Sequence, residues 1–424
     1  MNIPHRVAVS LVNALKGGVV PRVGLEYITV GRTLEINAIL SDIEMIGDGG
    51  ASFRFIVGRY GSGKSFLLQT IRNYATASGF VVVDADLSPE RRFAGTKGQG
   101  LATYKELMKN LSTKSKPDGG ALSLILDRWL AKCINESDDP KAVVDSLGLE
   151  LENMVNGFEF AKAMTLYYKA YTENDSGLKS SIIKWLRGEY QSKREAKSEL
   201  DVNFIVSDDS WYDFLKVFAA FLVGAGYKGL LVIVDELVNI FKLPNSLTRA
   251  NNYEKILTMY NDVLQGKAKH IGFLMGGTPQ CIEDKYRGVY SYEALRSRLQ
   301  EGHFSREKAK DLSAPIINLI MLTQEEMYVL IEKLMNIHGM IFNYEPKLTH
   351  EDLLYFLTVE YNRVGASTHI TPREIIRDFI ELINILHQNP NLKPTEVLGS
   401  NSFEMALGGI SDEEIHSEFT DFEL

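Results

Sequence analysis

A glycine-rich stretch between two apolar segments constrains the fold more than any other part of the sequence. The segment FRFIVGRYGSGKSFLLQT occupies residues 53–70, and the five residues from Phe53 to Val57 are typical of a buried strand. Three glycines then interrupt the chain, and the residues after Ser65 have amphipathic helical spacing at Phe66, Leu67, Thr70, Ile71 and Tyr74. Strand, glycine loop and helix in this order are the context in which G-x-x-x-x-G-K-[ST] predicts a phosphate-binding loop.

Each residue type in this loop suits the holding of phosphate. Glycines let backbone N–H groups curl around phosphate oxygens, and the helix that begins at Lys64 adds the positive end of its dipole. Lys64 is expected to neutralise the β and γ phosphate oxygens, and Ser65 to ligate Mg²⁺. The flanking strand and helix argue against the alternative of a chance glycine turn. The predicted ATP-contacting residues are Gly58, Arg59, Tyr60, Gly61, Ser62, Gly63, Lys64, Ser65 and Phe66.

A second motif, LLVIVDE, ends a predicted strand at residues 229–236 with two acids. We expect this strand to lie beside the phosphate-loop strand, so that Asp235 at its carboxyl end can hold Mg²⁺. Glu236 is then placed to orient and deprotonate the water that attacks the γ-phosphate. Two acids that merely cap a strand are the alternative, and the first motif favours the catalytic role. The sequence contains no Asn-Lys-x-Asp guanine signature, so ATP is expected rather than GTP.

The bulk composition limits the class of protein. The chain has 424 residues, of which 45% are hydrophobic and 24% charged, as in soluble proteins of two or three domains. No apolar run reaches transmembrane length, and the two cysteines, Cys133 and Cys281, have no metal or redox spacing, which favours a reducing cytoplasm. Serine-hydrolase, zinc-protease and paired C-x-x-C patterns do not occur, so ATP hydrolysis is the only chemistry that the residues positively support.

The charge distribution weakens a direct role in DNA binding. The net charge is −9, and residues 397–424 hold seven acids and no Lys or Arg. An acidic protein is a poor candidate for indiscriminate DNA coating, although a local basic groove remains compatible with this balance. One basic stretch, residues 179–197, has six Lys or Arg against two Glu, and a solvated helix face is favoured there over a nucleic-acid contact.

The remaining pattern predicts a parallel α/β core with two helical additions. Strands are expected at residues 80–83 and 271–279, and residues 97–225 are mostly helical, with breaks at TKSKPDGG, NESDDPK and ENDSG. Before the loop, VGRTLE leads into a helix whose apolar side is expected to hold Leu34, Ile36, Leu40 and Ile43. From residue 323 three helices open with Thr ahead of acids, as helix caps do.

We therefore expect four regions. They are an N-terminal helical segment at 1–50, an ATPase core at 51–322 with a helical insertion at about 97–225, a helical lid at 323–392, and an acidic tail at 393–424. The tail alternates acids with apolar residues, which suits either a disordered tail or a short partner-docking segment.

These features together resemble the AAA+ ATPases, particularly the branch of origin-recognition and loader proteins, over about residues 20–390. The resemblance implies three further roles. Thr278 corresponds to the polar sensor 1 residue, Arg296 and Arg298 to the arginine that reaches a neighbouring subunit's γ-phosphate, and Arg373 to the lid arginine, sensor 2. The alternatives are a turn residue for Thr278, a solvated helix for the pair in EALRSRL, and a surface charge for Arg373. Fixed cations are needed there because Lys64 and Mg²⁺ leave part of the developing charge unmet.

A closer resemblance is to the BREX-system ATP-binding domain family of bacterial anti-phage islands. It is carried by VGRTLEINAIL, FRFIVGRYGSGKSFLL, VVVDADLSPERR, YKELMKNLSTKSKPDGGAL and YEALRSRL, and it spans most of the chain. In that family the ATPase is usually encoded with a DEAD/DEAH-type helicase and other defence components. The resemblance implies a cytoplasmic ATPase that binds ATP and Mg²⁺ and acts with such partners.

Three functional hypotheses follow. The first is an oligomeric switch or motor ATPase that loads or regulates a helicase or nuclease on foreign DNA. The second is a monomeric scaffold that hydrolyses ATP slowly and holds a partner enzyme through the acidic tail. The third, a DNA-binding initiator, is weaker because no winged-helix segment is evident after residue 390.

Overall fold

The computed structural model of the chain describes residues 3–300, 311–362 and 371–398. These residues form two compact units, one of the described residues up to 31 together with those from 322 onward, and the other of the described residues between 32 and 321. We call the first the terminal unit and the second the core unit. No helix within the described ranges is both long and apolar enough to cross a membrane.

The core unit is built on a sheet of five parallel strands. They are β1 Ala51–Gly58, β2 Val81–Asp86, β3 Leu230–Asp235, β4 Ile271–Gly277 and β5 Ile316–Leu319. Their order across the sheet is β2–β3–β4–β1–β5. Because both faces are covered, the strands are nearly continuous apolar runs rather than alternating ones. This confirms the predicted parallel sheet flanked by helices.

The strand order corrects one prediction. We expected β3 beside the phosphate-loop strand, but β4 pairs with both β1 and β3 and lies between them. Sequence spacing alone does not show which strand is inserted between two others. The carboxyl ends still meet at one edge because all strands run in the same direction. Asp235 must therefore reach across the end of β4 to approach the loop that follows β1.

Two apolar layers hold helices against the sheet. On one face, α3 Thr33–Gly47 and α4 Lys64–Ala77 pack in a cluster that includes Ile56 of β1. On the other face, Phe55 belongs to a larger cluster that includes residues of the long helix Ser246–Leu264. Neighbouring residues of a strand thus enter different layers, as the two-residue period of a strand requires.

A helical insertion separates β2 from β3. Its helices are α5 Gln99–Lys109, α6 Leu122–Glu136, α7 Pro140–Leu151, α8 Gly157–Thr172, α9 Ser176–Leu186, α10 Lys193–Leu200 and α11 Trp211–Gly224. The three predicted breaks overlap the α5–α6, α6–α7 and α8–α9 connections. Aromatic rings fill the interior, and the centroids of Trp185 and Phe214 are 5.2 Å apart. The prediction of a mostly helical segment is confirmed.

Shorter helices complete the core unit. They are α12 Val238–Phe241, α13 Ser246–Leu264, α14 Pro279–Glu283 and α15 Glu293–Leu299, with a 3₁₀ turn at Val289–Ser291. The four-residue strand β5 was not predicted. The prediction that Leu34 and Tyr74 lie on buried apolar faces is wrong. Their exposed fractions are 66% and 40%. The buried stripe of α3 instead includes Ile36, Ile39 and Ile43.

The terminal unit is helical in its described parts. Its helices are α1 His5–Lys16, α2 Leu25–Ile28, α16 Gln324–Phe342, α17 His350–Asn362, α18 Pro372–Gln388 and α19 Pro394–Leu398. Thr323 and Thr371 form capping boxes with Glu326 and Glu374. The third predicted cap is also present, because Thr349 Oγ1 accepts a hydrogen bond from the Asp352 N–H at 3.2 Å.

Candidate nucleotide-binding site

The loop of residues 58–65, called the phosphate loop below, joins β1 directly to α4. Gly61 and Gly63 have φ angles of 76° and 89°, which side chains other than glycine rarely adopt. No heavy atom lies within 4 Å of the position that a Cβ on Gly63 would take. The loop therefore presents open space beside the first turn of α4, where a helix favours an anion.

The base of the phosphate loop is tightly packed. A Cβ on Gly58 would lie 2.3 Å from Ser62 Oγ and 3.1 Å from Leu319 Cβ, so this position has no room for a side chain. Ser62 Oγ is itself buried and has no hydrogen-bond partner within the described residues. A buried hydroxyl without a partner is costly, and a ligand in the loop is one source of a partner.

Lys64 lies over the loop that it follows. Its Nζ donates hydrogen bonds to the carbonyls of Gly58 at 2.9 Å and Arg59 at 3.1 Å. Burial lowers the pKa of Lys64, while the nearby carboxylates of Asp235 and Glu236 oppose that change. Phosphate oxygens placed in the loop would replace carbonyls with stronger, charged acceptors for the same ammonium group.

Asp235 reaches the phosphate loop across β4. Ser65 Oγ donates to Asp235 Oδ2 at 2.8 Å, although β4 separates the two parent strands. A Cβ on Gly276 of β4 would lie 2.1 Å from Asp235 Oδ1, so the carboxylate occupies space that only glycine leaves. In an octahedral Mg²⁺ shell, neighbouring ligand oxygens are about 2.9 Å apart. The separation of the Ser65 and Asp235 oxygens therefore fits two adjacent Mg²⁺ ligands.

Glu236 follows in a strained conformation. Its φ is 63°, in the left-handed region, and its N–H donates to Asp235 Oδ1 at 2.9 Å. Such strain in a non-glycine residue is common at functional sites. Burial raises the pKa of Glu236, and the negative charges of Asp235 and Asp86 raise it further. A carboxylate with a raised pKa is a better proton acceptor for water than an ordinary glutamate.

Asp86 is a third acid at this edge that the sequence reading left without a role. It ends β2 and is the register partner of Asp235. Burial and then the charge of Asp235 raise the pKa of Asp86. The motif DADLSPERR contained the signal, but the pairing of β2 with β3 was needed to bring Asp86 beside Asp235.

The other predicted loop residues occupy its rim. Arg59 and Tyr60 are exposed at the tip, and Phe66 is partly exposed in the first turn of α4. Thr278 directly follows β4 as the N-cap of α14, and its Oγ1 accepts a hydrogen bond from the Cys281 N–H at 3.4 Å. That bond uses an oxygen lone pair, so the hydroxyl hydrogen can still be donated to a ligand.

The predicted arginines are described by their local contacts. Arg296 Nη2 is 3.9 Å from Glu293 Oε1, and Arg298 Nη1 donates to the carbonyl of Ala294 at 2.7 Å, so both contacts are within α15. Arg373 belongs to the terminal unit, in the first turn of α18, where its Cδ is 3.7 Å from the position of a Cβ on Gly18. Their roles toward a nucleotide stay predictions.

The basic stretch at 179–197 is partly neutralised within the insertion. Lys184 Nζ lies 2.6 Å from Glu195 Oε1, and Lys179 Nζ lies 3.8 Å from Asp127 Oδ1. These pairs agree with a solvated helix face. The predicted acidic tail beyond residue 398 lies outside the described residues.

Ser65 and Asp235 are the two residues that the sequence analysis predicted to hold a metal ion. No group of three or more His, Cys, Asp and Glu side chains that could hold a metal ion occurs in residues 3–300, 311–362 and 371–398.

Comparison with protein families identifies a match. The family model described as "BREX system ATP-binding protein BrxC/D" matches residues 3–402, which is nearly the whole chain. A search among curated proteins found no match.

Proposed function

Because the chain belongs to the BREX system ATP-binding protein family BrxC/D, we propose that it is the Mg²⁺-dependent ATPase of a BREX defence system. The observation that carries this proposal is the bond of Ser65 to Asp235, which brings the phosphate loop and the acidic strand end together across β4. Lys64, Ser65, Asp235 and Glu236 thereby share one edge of the sheet, as hydrolysis of a nucleoside triphosphate requires.

Each of these residues has a distinct part in the proposed reaction. The phosphate loop and Lys64 bind the triphosphate, and Ser65 and Asp235 hold the cation. Mg²⁺, when bound, supplies positive charge to the β and γ phosphate oxygens. Glu236 accepts the proton of the attacking water, and Thr278 donates a hydrogen bond toward the γ-phosphate.

Calorimetry and turnover test the proposal. Lys64→Ala is expected to weaken ATP binding at least a hundredfold, because it removes the charged partner of the phosphates. Lys184→Ala, which removes a lysine paired with Glu195 on the insertion, is the matched control and should bind ATP normally. Equal ATP affinity of Lys64→Ala and the unaltered protein would refute the proposal.

Glu236→Gln separates binding from hydrolysis. The variant keeps the shape of the side chain but cannot accept a proton, so ATP binding should persist while turnover falls by a factor of about 10² to 10⁴. Glu173→Gln, at the exposed end of α8, serves as the control. Unchanged turnover in Glu236→Gln would remove Glu236 from the reaction. If Glu236→Gln binds ATP normally but loses turnover, the unaltered protein has a turnover that depends on Glu236, which argues against the alternative of a slowly hydrolysing scaffold.

We further propose that the ATPase is a homo-oligomer in which Arg296 or Arg298 completes a neighbour's site. Arg296 pairs with Glu293 and Arg298 bonds the carbonyl of Ala294, so within residues 3–300, 311–362 and 371–398 neither arginine forms an ion pair with an acid outside α15. A mixture of Arg296→Ala with Glu236→Gln tests this directly. The first variant has an intact site and the second an intact arginine, so mixing should recover activity that neither has alone. No recovery for either arginine variant would place both outside a neighbour's site.

The proposed setting is the cytoplasm, with a DEAD/DEAH-type helicase or another defence-island protein as partner and foreign DNA as the final target. The net charge of −9 supports contact with DNA through the assembled complex rather than through this chain. A DNA-binding initiator would instead show turnover stimulated by particular DNA sequences.

A further inference from the structure

Arg32 lies buried behind the phosphate loop and has had no role so far. It immediately precedes α3 and is only 4% exposed. Its Nη2 donates to the carbonyl oxygen of Ser62 at 3.0 Å and to that of Ile320 at 2.6 Å. One nitrogen thus joins the middle of the phosphate loop to the residue that follows β5.

The bond to Ser62 fixes the direction of a neighbouring N–H. The carbonyl of Ser62 and the N–H of Gly63 belong to one planar peptide unit, and the described chain has no cis peptide bond. In a trans peptide the two groups point in opposite directions. When Arg32 holds the carbonyl on the buried side, the Gly63 N–H must point to the other side, where the loop is open.

This peptide needs such a restraint because of its neighbours. Gly61 and Gly63 flank Ser62, both with positive φ, and glycine permits several backbone conformations at little cost. A charge-assisted bond to a buried guanidinium is among the stronger restraints available to a carbonyl. The second bond, to the carbonyl of Ile320, holds the guanidinium in place. Because Ile320 directly follows β5, Arg32 fixes the Ser62 carbonyl relative to the sheet.

We propose that Arg32 is a positioning residue of the nucleotide site, which clamps the phosphate loop from behind so that its N–H groups face the phosphates before the nucleotide binds. The inference rests on the proposed nucleotide-binding function. It predicts that a change at Arg32 weakens phosphate binding, and that this loss is not explained by reduced stability of the fold. Its positive charge also lies on the protein side of the loop and favours the anion across it.

The chain offers a matched control in Arg54. This residue is also buried, at 9% exposure, and its Nη1 donates to the carbonyls of Ser313 and Ala314 at 2.6 and 2.5 Å. It joins β1 to the segment before β5, as Arg32 joins the phosphate loop to the segment after β5. Both arginines therefore stabilise the same part of the sheet, but only Arg32 bonds a carbonyl of the loop.

The experiment compares Arg32→Lys with Arg54→Lys by calorimetry, with ADP and with pyrophosphate as a probe of the phosphate loop alone. Arg32→Lys should weaken both ligands by the same factor, about tenfold to a hundredfold, as expected for hydrogen bonds from a charged donor. Arg54 also forms a bidentate pair with Asp42, at 2.6 and 2.8 Å, so Arg54→Lys should lower the melting temperature at least as much and leave both affinities unchanged. In turnover assays, Arg32→Lys should raise KM more than it lowers kcat.

The outcomes separate this inference from the proposed function. If Arg32→Lys binds ADP and pyrophosphate as tightly as the unaltered protein, the clamp is wrong and the ATPase proposal stands. If both arginine variants lose affinity equally, Arg32 has only a structural role and the inference is also overturned. If the unaltered protein binds neither ligand, the proposed function itself fails. Where Arg32→Lys is not recovered folded, Arg32→Gln, which keeps one donor group, is measured in its place.

Discussion

Gly276 leaves the space in which the Asp235 carboxylate lies, and alanine at this position is expected to displace that carboxylate. The added Cβ would be 2.1 Å from Asp235 Oδ1 and 2.8 Å from its Cγ, well inside contact distance. Gly276 lies within β4 and does not have a left-handed φ, so the backbone itself tolerates alanine. The added Cβ would also meet Leu68 Cδ1 at 3.2 Å, a side-chain end that can rotate away, so the main perturbation is to the carboxylate and its partners.

The size of the effect follows from the bonds that Asp235 loses. Moving the carboxylate breaks the bond from Ser65 at 2.8 Å and the bond from the Glu236 N–H at 2.9 Å. Hydrogen bonds to a charged group contribute about 1.5–3 kcal/mol each. Loss of one such bond from a metal-binding pair corresponds to a fall of about tenfold to a hundredfold in Mg²⁺-dependent nucleotide affinity.

Calorimetry with and without Mg²⁺ isolates this effect. ADP without Mg²⁺ should bind Gly276→Ala normally, because the phosphate loop and Lys64 are untouched, whereas the gain in affinity that Mg²⁺ provides should be lost. Gly272→Ala on the same strand is the control. Its Cβ would meet Ile46 Cδ1 at 2.5 Å, a side-chain end that can rotate, at a cost of about 1–3 kcal/mol in stability. Mg²⁺-stimulated binding in Gly276→Ala equal to that of Gly272→Ala would refute the reasoning.

Three further predictions concern pH and stability. Because burial and acidic neighbours raise the pKa of Glu236, kcat/KM should fall as the pH drops through that raised pKa. Asp86→Asn should move this fall in kcat/KM to lower pH. If the pH of the fall does not change, Asp86 is not a cause of the raised pKa. A carboxyl group with a raised pKa stabilises the fold below its unfolded pKa and loses that contribution as pH rises, so Glu236→Gln should resist urea better than the unaltered protein at pH 7 without nucleotide. Arg72 bonds Ser112 Oγ at 2.7 Å and the Pro117 carbonyl at 2.6 Å, and Arg72→Met should lower the free energy of unfolding by about 2–3 kcal/mol in urea titrations, with nucleotide affinity per folded molecule retained.

Local chemistry was predictable from the sequence where residue type and spacing determine it. The strand, loop and helix around Lys64 form one contiguous segment, so the residues that determine its structure are neighbours in the sequence. The capping boxes at Thr323 and Thr371 are equally local, since the partners are three residues apart. The apolar run of β3 identified a buried parallel strand because both of its faces are covered.

Features that depend on contacts distant in sequence were missed. Nothing in the spacing of β1, β3 and β4 shows that β4 lies between the other two. The four residues of β5 are too few for a periodic pattern to identify a strand. Arg32 was part of a quoted motif, but its bonds are to backbone carbonyls of Ser62 and Ile320, which any residue type presents. Contacts of that kind leave no signal at the partner position.

The glycines of the site meet two different physical requirements, one for backbone conformation and one for space. Gly61 and Gly63 are needed for conformation, because both have positive φ, and Gly63 has open space around it. Gly58 and Gly276 are needed for space, because a Cβ on either would lie within 2.3 Å of a polar oxygen of the site. Gly58 belongs to the familiar loop pattern, but Gly276 is more than two hundred residues away in sequence. Since β1 and β3 are two strand spacings apart, roughly 10 Å, Ser65 and Asp235 can bond only if the strand between them is bare at this position. Because β4 lies between β1 and β3, the site requires a glycine at position 276 of β4.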